Sequence, residues 1–308
     1  MANEYTGADG GPTLRARLRA APLLLDGAIG TELERRGIAC ALPLWSTHAL
    51  IEAPDTLAAI HREYLEAGAE VLTADTFRTQ RHVLAKAGAG ERARELTERA
   101  VALAQCVRRD AALEGSVRVA GSVPPLEDCY EPASRPNDRT LAREHARHCD
   151  ALAGAGVDLL LLETHNSIAE ARAAARAAAH TGLPFFVSFV CRGRVLLSGE
   201  ALADAVEALR PSGPQAILVN CIPPADVMPL LEELRVACGT TPYGVYPNLG
   251  PPGATPRHPH RDHLSPEAFA RAAGEWVAAG ARVVGGCCGT APRHIRATAQ
   301  MLQQRADR

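Results

Sequence analysis

The stretch Ala153-Gly154-Ala155-Gly156-Val157-Asp158-Leu159-Leu160-Leu161-Leu162-Glu163-Thr164 contains a helix stop, a buried strand and an acid at the strand's end. Glycine takes the left-handed backbone that ends a helix, and the run of leucines reads as a strand buried on both faces, as in a parallel sheet. The same form recurs in Glu66-Ala67-Gly68-Ala69-Glu70-Val71 and in Ala278-Ala279-Gly280-Ala281-Arg282-Val283. With these joints as markers, eight β-like runs fall at residues 23–27, 70–77, 117–123, 157–164, 184–190, 216–221, 243–248 and 282–288. Segments of helical composition lie between and after them, at 54–67, 91–113, 140–153, 168–180, 201–210, 225–236, 266–278 and 291–304. Eight β/α units ending on a helix predict an α/β fold, a single-domain (β/α)8 TIM barrel over residues 21–308 behind an N-terminal extension, 1–20. A doubly wound sheet is the main alternative.

Composition narrows the class of function. The chain has 308 residues, 47% of them apolar, which suffices for one large α/β domain. A net charge of -2 and the lack of a sustained basic stripe argue against nucleic-acid binding. The N-terminus is polar, and its nearest apolar run, residues 21–25, is too short for a membrane span or a signal core. Nine cysteines without CxxC spacing do not form a secreted disulfide framework. A soluble cytoplasmic protein with reduced thiols is expected, with a homo-oligomer left open.

A barrel gathers the C-terminal ends of its strands on one rim, where active sites are built. Asp26, Asp75, Thr76, Glu163, Asn220, Cys221, Asn248, Cys287 and Cys288 all stand at such ends. The run Gly285-Gly286-Cys287-Cys288-Gly289-Thr290 places two thiols in a glycine-flanked turn, where adjacent cysteines can hardly bridge each other without strain. Both sulfurs can instead face one point, and Cys221 in Val219-Asn220-Cys221 offers a third. Three thiolates favour Zn2+ and leave its fourth position open, as in catalytic zinc, where a substrate thiol would be held as a thiolate. The sequence has no GxSxG, no HExxH and no cysteine with a local histidine partner. Irregular stretches at 126–139 and 249–264 follow strands and could exclude water from such a site.

Asp26-Gly27-Ala28-Ile29-Gly30-Thr31-Glu32-Leu33, Pro43-Leu44-Trp45-Ser46, Glu163-Thr164, Val219-Asn220-Cys221, Tyr246-Pro247-Asn248 and Gly285-Gly286-Cys287-Cys288-Gly289-Thr290-Ala291-Pro292 occur in an order and approximate spacing similar to the homocysteine S-methyltransferase family. The resemblance runs from about residue 22 to 300. It implies a zinc-dependent barrel enzyme in which Cys221, Cys287 and Cys288 hold the metal and homocysteine supplies the fourth sulfur. It implies also that Asp26 and Glu163 receive the amino group of homocysteine. Backbone amides from Gly27 to Thr31, at a helix start, suit its carboxylate. Asn220 and Asn248 are expected as further substrate contacts, against the simpler role of satisfying loop backbone.

The product would be methionine and the donor a small cation. The segment Leu44-Trp45-Ser46 looks like the sulfonium-using branch, which favours S-methylmethionine or S-adenosylmethionine over betaine. Trp45 is then a wall of the donor site, and Phe77, Tyr130 and Tyr246 are further aromatics at or after strand ends. Two segments depart from that branch: Pro125-Leu126-Glu127-Asp128-Cys129-Tyr130 and Leu249-Gly250-Pro251-Pro252. A betaine-type donor and a different thiol or selenol acceptor remain as alternatives. A redox protein using the vicinal thiols, or a non-catalytic zinc-binding subunit, would be a different class of function. Cys40, Cys106, Cys149, Cys191 and Cys238 read as core or helix-face residues, and Cys129 as a rim-loop thiol. The tract Arg257-His258-Pro259-His260-Arg261-Asp262-His263 reads as a solvated polar loop.

Overall fold

In the computed structural model, which describes residues 14–250 and 264–307, the leucine run becomes β4, Leu159–His165, buried along its whole length. The other barrel strands are β1 (Leu23–Leu24), β2 (Val71–Ala74), β3 (Arg118–Ser122), β5 (Phe185–Phe189), β6 (Ala216–Asn220), β7 (Tyr243–Tyr246) and β8 (Val283–Val284). Each pairs in parallel with its neighbour, from β2 through β8, and β8 returns to β1. A parallel bridge from Leu25 to Val71 joins β1 to β2 and closes the ring. This is the (β/α)8 barrel, and the doubly wound alternative falls.

Helices Ile168–His180 and Pro266–Ala278 have the bounds expected from the sequence. The structure adds short helices at Leu14–Ala20, Gly30–Arg35, Thr47–Glu52 and Arg81–Lys86. None of these is long enough to show a helical period, so the pattern could not reveal them. A two-stranded antiparallel ribbon, Cys191–Arg192 with Val195–Leu196, follows β5. β8 is shorter than its apolar run because the chain leaves the sheet after Val284 to form the cysteine turn.

Alternation along the strands separates two apolar shells. Leu160, Leu162, Val187, Val219 and Val245 face the helices. Leu23, Leu25, Val71, Ala120, Leu159, Leu161, Phe186, Ala216, Leu218, Tyr246 and Val283 fill the barrel interior. Leu14 and Leu18 of the first described helix join that inner cluster, so the end of the expected extension is packed against the barrel. Arg17 on the same helix donates to Glu70 Oε1, and to the carbonyls of Ala21 at 2.8 Å and Pro22 at 3.0 Å. Glu70 in turn accepts from the Leu24 amide at 3.1 Å.

Of the stretch 249–264, only Leu249, Gly250 and Leu264 are described, and the histidine tract at 258–263 lies outside the described residues. Among the described residues no helix is long and apolar enough to cross a membrane. Because Leu18 is fully buried, Leu18→Ala should destabilise the protein by about 2–5 kcal/mol. A lowered urea midpoint at unchanged m-value would show this loss, whereas a variant as stable as the parent would mean that the helix adds nothing to the barrel.

Candidate active site

The inner face turns polar toward the C-terminal ends of the strands. In β2 the inward series Val71, Thr73 leads on to Asp75; in β4 Leu159, Leu161 leads to Glu163; in β6 Ala216, Leu218 leads to Asn220; after β8 Val283, Gly285 leads to Cys287. Period-two alternation alone therefore delivers these side chains to the barrel mouth. At this mouth lies a cavity of about 400 Å3 lined among others by Asp26, Trp45, Asp75, Glu163, Cys221 and Cys287.

The three predicted ligands meet. The sulfurs of Cys221, Cys287 and Cys288 all lie within 4.8 Å of one another, and the Cys221 and Cys287 sulfurs are 2.9 Å apart. Among the described residues this is the cluster whose donor set fits a metal ion. Cys221 reaches the cluster with φ at +54°, a left-handed conformation unusual for a residue with a side chain. Its neighbour Asn220 is fully buried behind the sulfurs. The Asn220 carboxamide accepts from the Thr164 amide at 3.1 Å and the Ser188 hydroxyl at 2.7 Å. It donates to Thr164 Oγ1 at 2.8 Å and to the Cys221 sulfur at 3.4 Å. Hydrogen bonds from Cys221 and Cys288 hold the Cys287 thiol well below its ordinary pKa, while hydrogen bonding with Cys287 and Cys288 pushes Cys221 well above it. Three thiols converging on one point in this way form a soft donor set suited to a metal ion.

The cysteine turn is held by its neighbours. The Cys287 amide donates to the Pro247 carbonyl at 2.9 Å, and the Thr290 hydroxyl donates to the Cys287 carbonyl at 2.7 Å. The Gly289 amide donates to Thr31 Oγ1 at 3.1 Å, and the Ala28 amide donates to Thr290 Oγ1 at 3.2 Å. A Cβ on Gly27 would lie 2.7 Å, and one on Gly286 2.3 Å, from Thr290 Oγ1, so both approaches require glycine. Thr31 lines the cavity, yet its hydroxyl already serves the cysteine turn.

Two carboxylates face the cavity from opposite parts of the chain. Asp26 accepts from the Thr73 amide at 2.7 Å and the Thr73 hydroxyl at 2.9 Å. Glu163 accepts from the Ser122 hydroxyl. The register between β4 and β5 shifts between Leu162 and His165, and Thr164 within that irregularity has φ at +62°. Such a bulge re-aims side chains at a barrel rim. Burial pushes Asp26 up to about 7 and Glu163 up to about 8, against the hydrogen bonds from Thr73 and Ser122 respectively. Neither has a cationic partner in the cavity wall, and a ligand ammonium would favour the charged form of both.

Trp45, Phe77, Tyr130 and Tyr246 all line the cavity, with Trp45 and Phe77 in edge contact at 5.6 Å between centroids. Cys129 and Cys40 line it too, and Cys40 also packs against the core as expected. Asn220 and Asn248 do not line it. Asn248 is fully buried, its amide donates to the Ile222 carbonyl at 2.9 Å, and its carboxamide has no hydrogen-bond partner among the described residues. Thr73, Ser122, Thr164, Ser188 and Arg78 are site residues that sequence reading missed. A signal existed for Thr73, Ser122 and Ser188, which stand on the inward parity of their strands.

Residues 23–302 match the model of the homocysteine S-methyltransferase family. The chain is 34% identical over 293 residues to the homocysteine S-methyltransferase of Escherichia coli, covering 89% of this chain and 93% of that protein. It is 30% identical over 307 residues to homocysteine S-methyltransferase 4 of Zea mays, covering 91% of this chain and 89% of the maize protein. The solved structure of the E. coli homocysteine methyltransferase MmuM in its metallated form matches at a TM-score of 0.80 with 30% identity, covering 92% of this chain and 99% of that one. With the barrel, the cysteine cluster and the family match in agreement, this chain belongs to the homocysteine S-methyltransferase family and is an enzyme of methyl transfer to homocysteine.

Proposed function

We propose that the enzyme is zinc-dependent and transfers a methyl group from S-methylmethionine or S-adenosylmethionine to the sulfur of homocysteine, giving methionine. The observation that carries this reading is the convergence of Cys221, Cys287 and Cys288 in the wall of the cavity that also exposes Asp26 and Glu163. An all-thiolate set favours zinc, and the metallated state of the E. coli relative supports a metal at such a site. Zinc bound there supplies an open position that favours the thiolate form of a fourth sulfur at neutral pH.

The chain's own residues do the rest. Asp26 and Glu163 take the ammonium of homocysteine, whose charge compensates two carboxylates that burial alone disfavours. The amides of Gly30 and Thr31 open a helix, have no intrahelical acceptor by geometry, and face the acceptor's carboxylate together with those near Gly27. Asn220 orients the Cys221 sulfur through its carboxamide. Trp45 and Phe77 present ring surface to the donor's cationic methyls. Transfer is an in-line displacement: the donor's sulfonium–methyl bond breaks as the homocysteine sulfur–methyl bond forms, the donor leaves as a neutral thioether, and the thiol proton goes to solvent. The nine cysteines are unbridged, in keeping with a cytoplasmic enzyme.

Cys287→Ala should lose stoichiometric zinc and methionine formation together while keeping its circular dichroism, which also separates this reading from a vicinal-thiol redox protein. Zinc-loaded enzyme that makes no methionine with S-methylmethionine, S-adenosylmethionine or betaine would overturn it. Glu163→Gln should raise the KM for homocysteine by about 10–100-fold through loss of a charge-assisted contact, measured under saturating donor. For Asp26 the folded carboxyl binds its proton up to about 7 and the unfolded one only up to its ordinary value of 3.8, so the parent loses stability as pH rises through that window. Urea unfolding of the ligand-free protein from pH 4 to 8 should therefore show Asp26→Asn gaining on the parent up to about pH 7 and levelling off above it. A pH-independent difference would remove the burial effect.

A further inference from the structure

Asp75 and Arg78 stand on the loop after β2, in the wall of the same cavity, and the acceptor chemistry uses neither. Asp75 is 3% exposed; its Oδ1 accepts from the Ser46 hydroxyl at 2.5 Å, and its Oδ2 is buried with no hydrogen-bond partner. Arg78 is 7% exposed; its Nη1 donates to the Glu127 carbonyl at 3.2 Å, and its Nε is buried without a partner. The two flank the aromatic pair of the cavity. Ser46, which holds Asp75, follows Trp45 in the chain, and the Arg78 guanidinium lies 5.2 Å from the Phe77 ring centroid. Among the described residues neither charge forms an ion pair. A buried carboxylate and a buried guanidinium, each with an unpaired atom in the wall of one cavity, are costly unless a ligand carries the complementary pair.

We propose that Asp75 and Arg78 clamp the amino-acid end of the methyl donor, Asp75 accepting from its α-ammonium and Arg78 donating to its α-carboxylate. The inference rests on the methyl-transfer reading above and deepens it by assigning the residues that would select a sulfonium donor through its α-amino-acid end. Asp75 then adds to Asp26 and Glu163 a further ammonium acceptor in the wall of the same cavity, so that each amino acid in a transfer between two sulfurs has one. Betaine fails at Asp75, because its fully methylated nitrogen has no hydrogen to donate and would leave Oδ2 unpaired. A site built to accept a hydrogen bond discriminates strongly against a ligand that lacks the donor.

The test compares S-methylmethionine with a dimethylsulfonium carboxylate that lacks the amino group. In the unmodified zinc enzyme, kcat/KM for S-methylmethionine should exceed that for the deamino donor by about 10–100-fold, the range of one charge-assisted hydrogen bond. Asp75→Asn, which can keep the bond from Ser46, should lower kcat/KM for S-methylmethionine much more than for the deamino donor, erasing most of that advantage. Arg78→Gln should depress both donors by a similar factor. Calorimetric binding of S-methylmethionine to each protein without homocysteine gives a readout free of turnover, and its Kd should weaken in both variants. Discrimination below about threefold in the unmodified enzyme, equal losses for both donors in Asp75→Asn, or an unchanged Kd in both variants would each overturn the clamp. Should a variant fail to fold, the donor comparison in the unmodified enzyme still decides. Failure of the unmodified enzyme to form methionine from any donor is a different result, which removes the methyl-transfer reading, while the binding data still judge Asp75 and Arg78.

Discussion

Closure of the parallel sheet at Leu25 and Val71 is the constraint on which the remaining architecture depends. The Asp26 amide donates to the Val71 carbonyl at 3.1 Å, and the Gly286 amide donates to the Asp26 carbonyl at 3.1 Å, so the seam that joins β1 to β2 also anchors the start of the cysteine turn. Thr73, two residues along β2, completes the arrangement by donating twice to the Asp26 carboxylate. An open sheet would leave β1 at an edge, with these backbone groups unpaired and the acid far from the thiols. The site is thus a by-product of satisfying the sheet's last hydrogen bonds.

The same barrel supplies stability and function from one alternating pattern. Inward positions low in the strands are apolar and pack into a core, while the next inward positions are Asp75, Ser122, Glu163, Ser188, Asn220 and Cys287. Only Ser122, Ser188 and Asn220 are fully provided for by neighbours, through the Ser122–Glu163 and Ser188–Asn220 hydrogen bonds and the Asn220 contacts to Thr164. The carboxylates and thiols stay electrostatically unbalanced, and burial raises Asp26, Asp75 and Glu163 above the usual carboxylate range. Such imbalance costs stability, and its concentration around one cavity is what distinguishes this end of the barrel from the packed core.

Much of this was legible in residue order. Runs of leucine and valine fixed the strands, glycines marked the joints, and the paired cysteines with Asn220-Cys221 pointed to a soft-metal site. Asp26 and Glu163 could be singled out because an acid directly after a buried strand is costly unless it is paired, and both lie in the segments that resemble the family. Arg78 could not, since an arginine in a loop is ordinarily solvated, and only its packing on Phe77 within the cavity shows otherwise. Asn220 was read as a substrate contact from its place at a strand end, yet its carboxamide is spent on Thr164, Ser188 and the Cys221 sulfur. Nothing in the local sequence distinguishes those two fates.

By itself the sequence determined the fold class, the order of the β/α units and which thiols could gather at the barrel rim, because periodicity and residue type are local properties of the chain. Tertiary structure alone decided which hydroxyl meets which carboxylate, how the left-handed turn at Cys221 brings its sulfur to within 2.9 Å of that of Cys287, and which polar groups were left without partners in the cavity. Those outcomes depend on strand register and ring closure, which join Asp26 to Thr73 and Ser122 to Glu163 across tens of residues. No local pattern encodes such pairings, since each is set by the summed packing of the whole barrel rather than by the residues that meet.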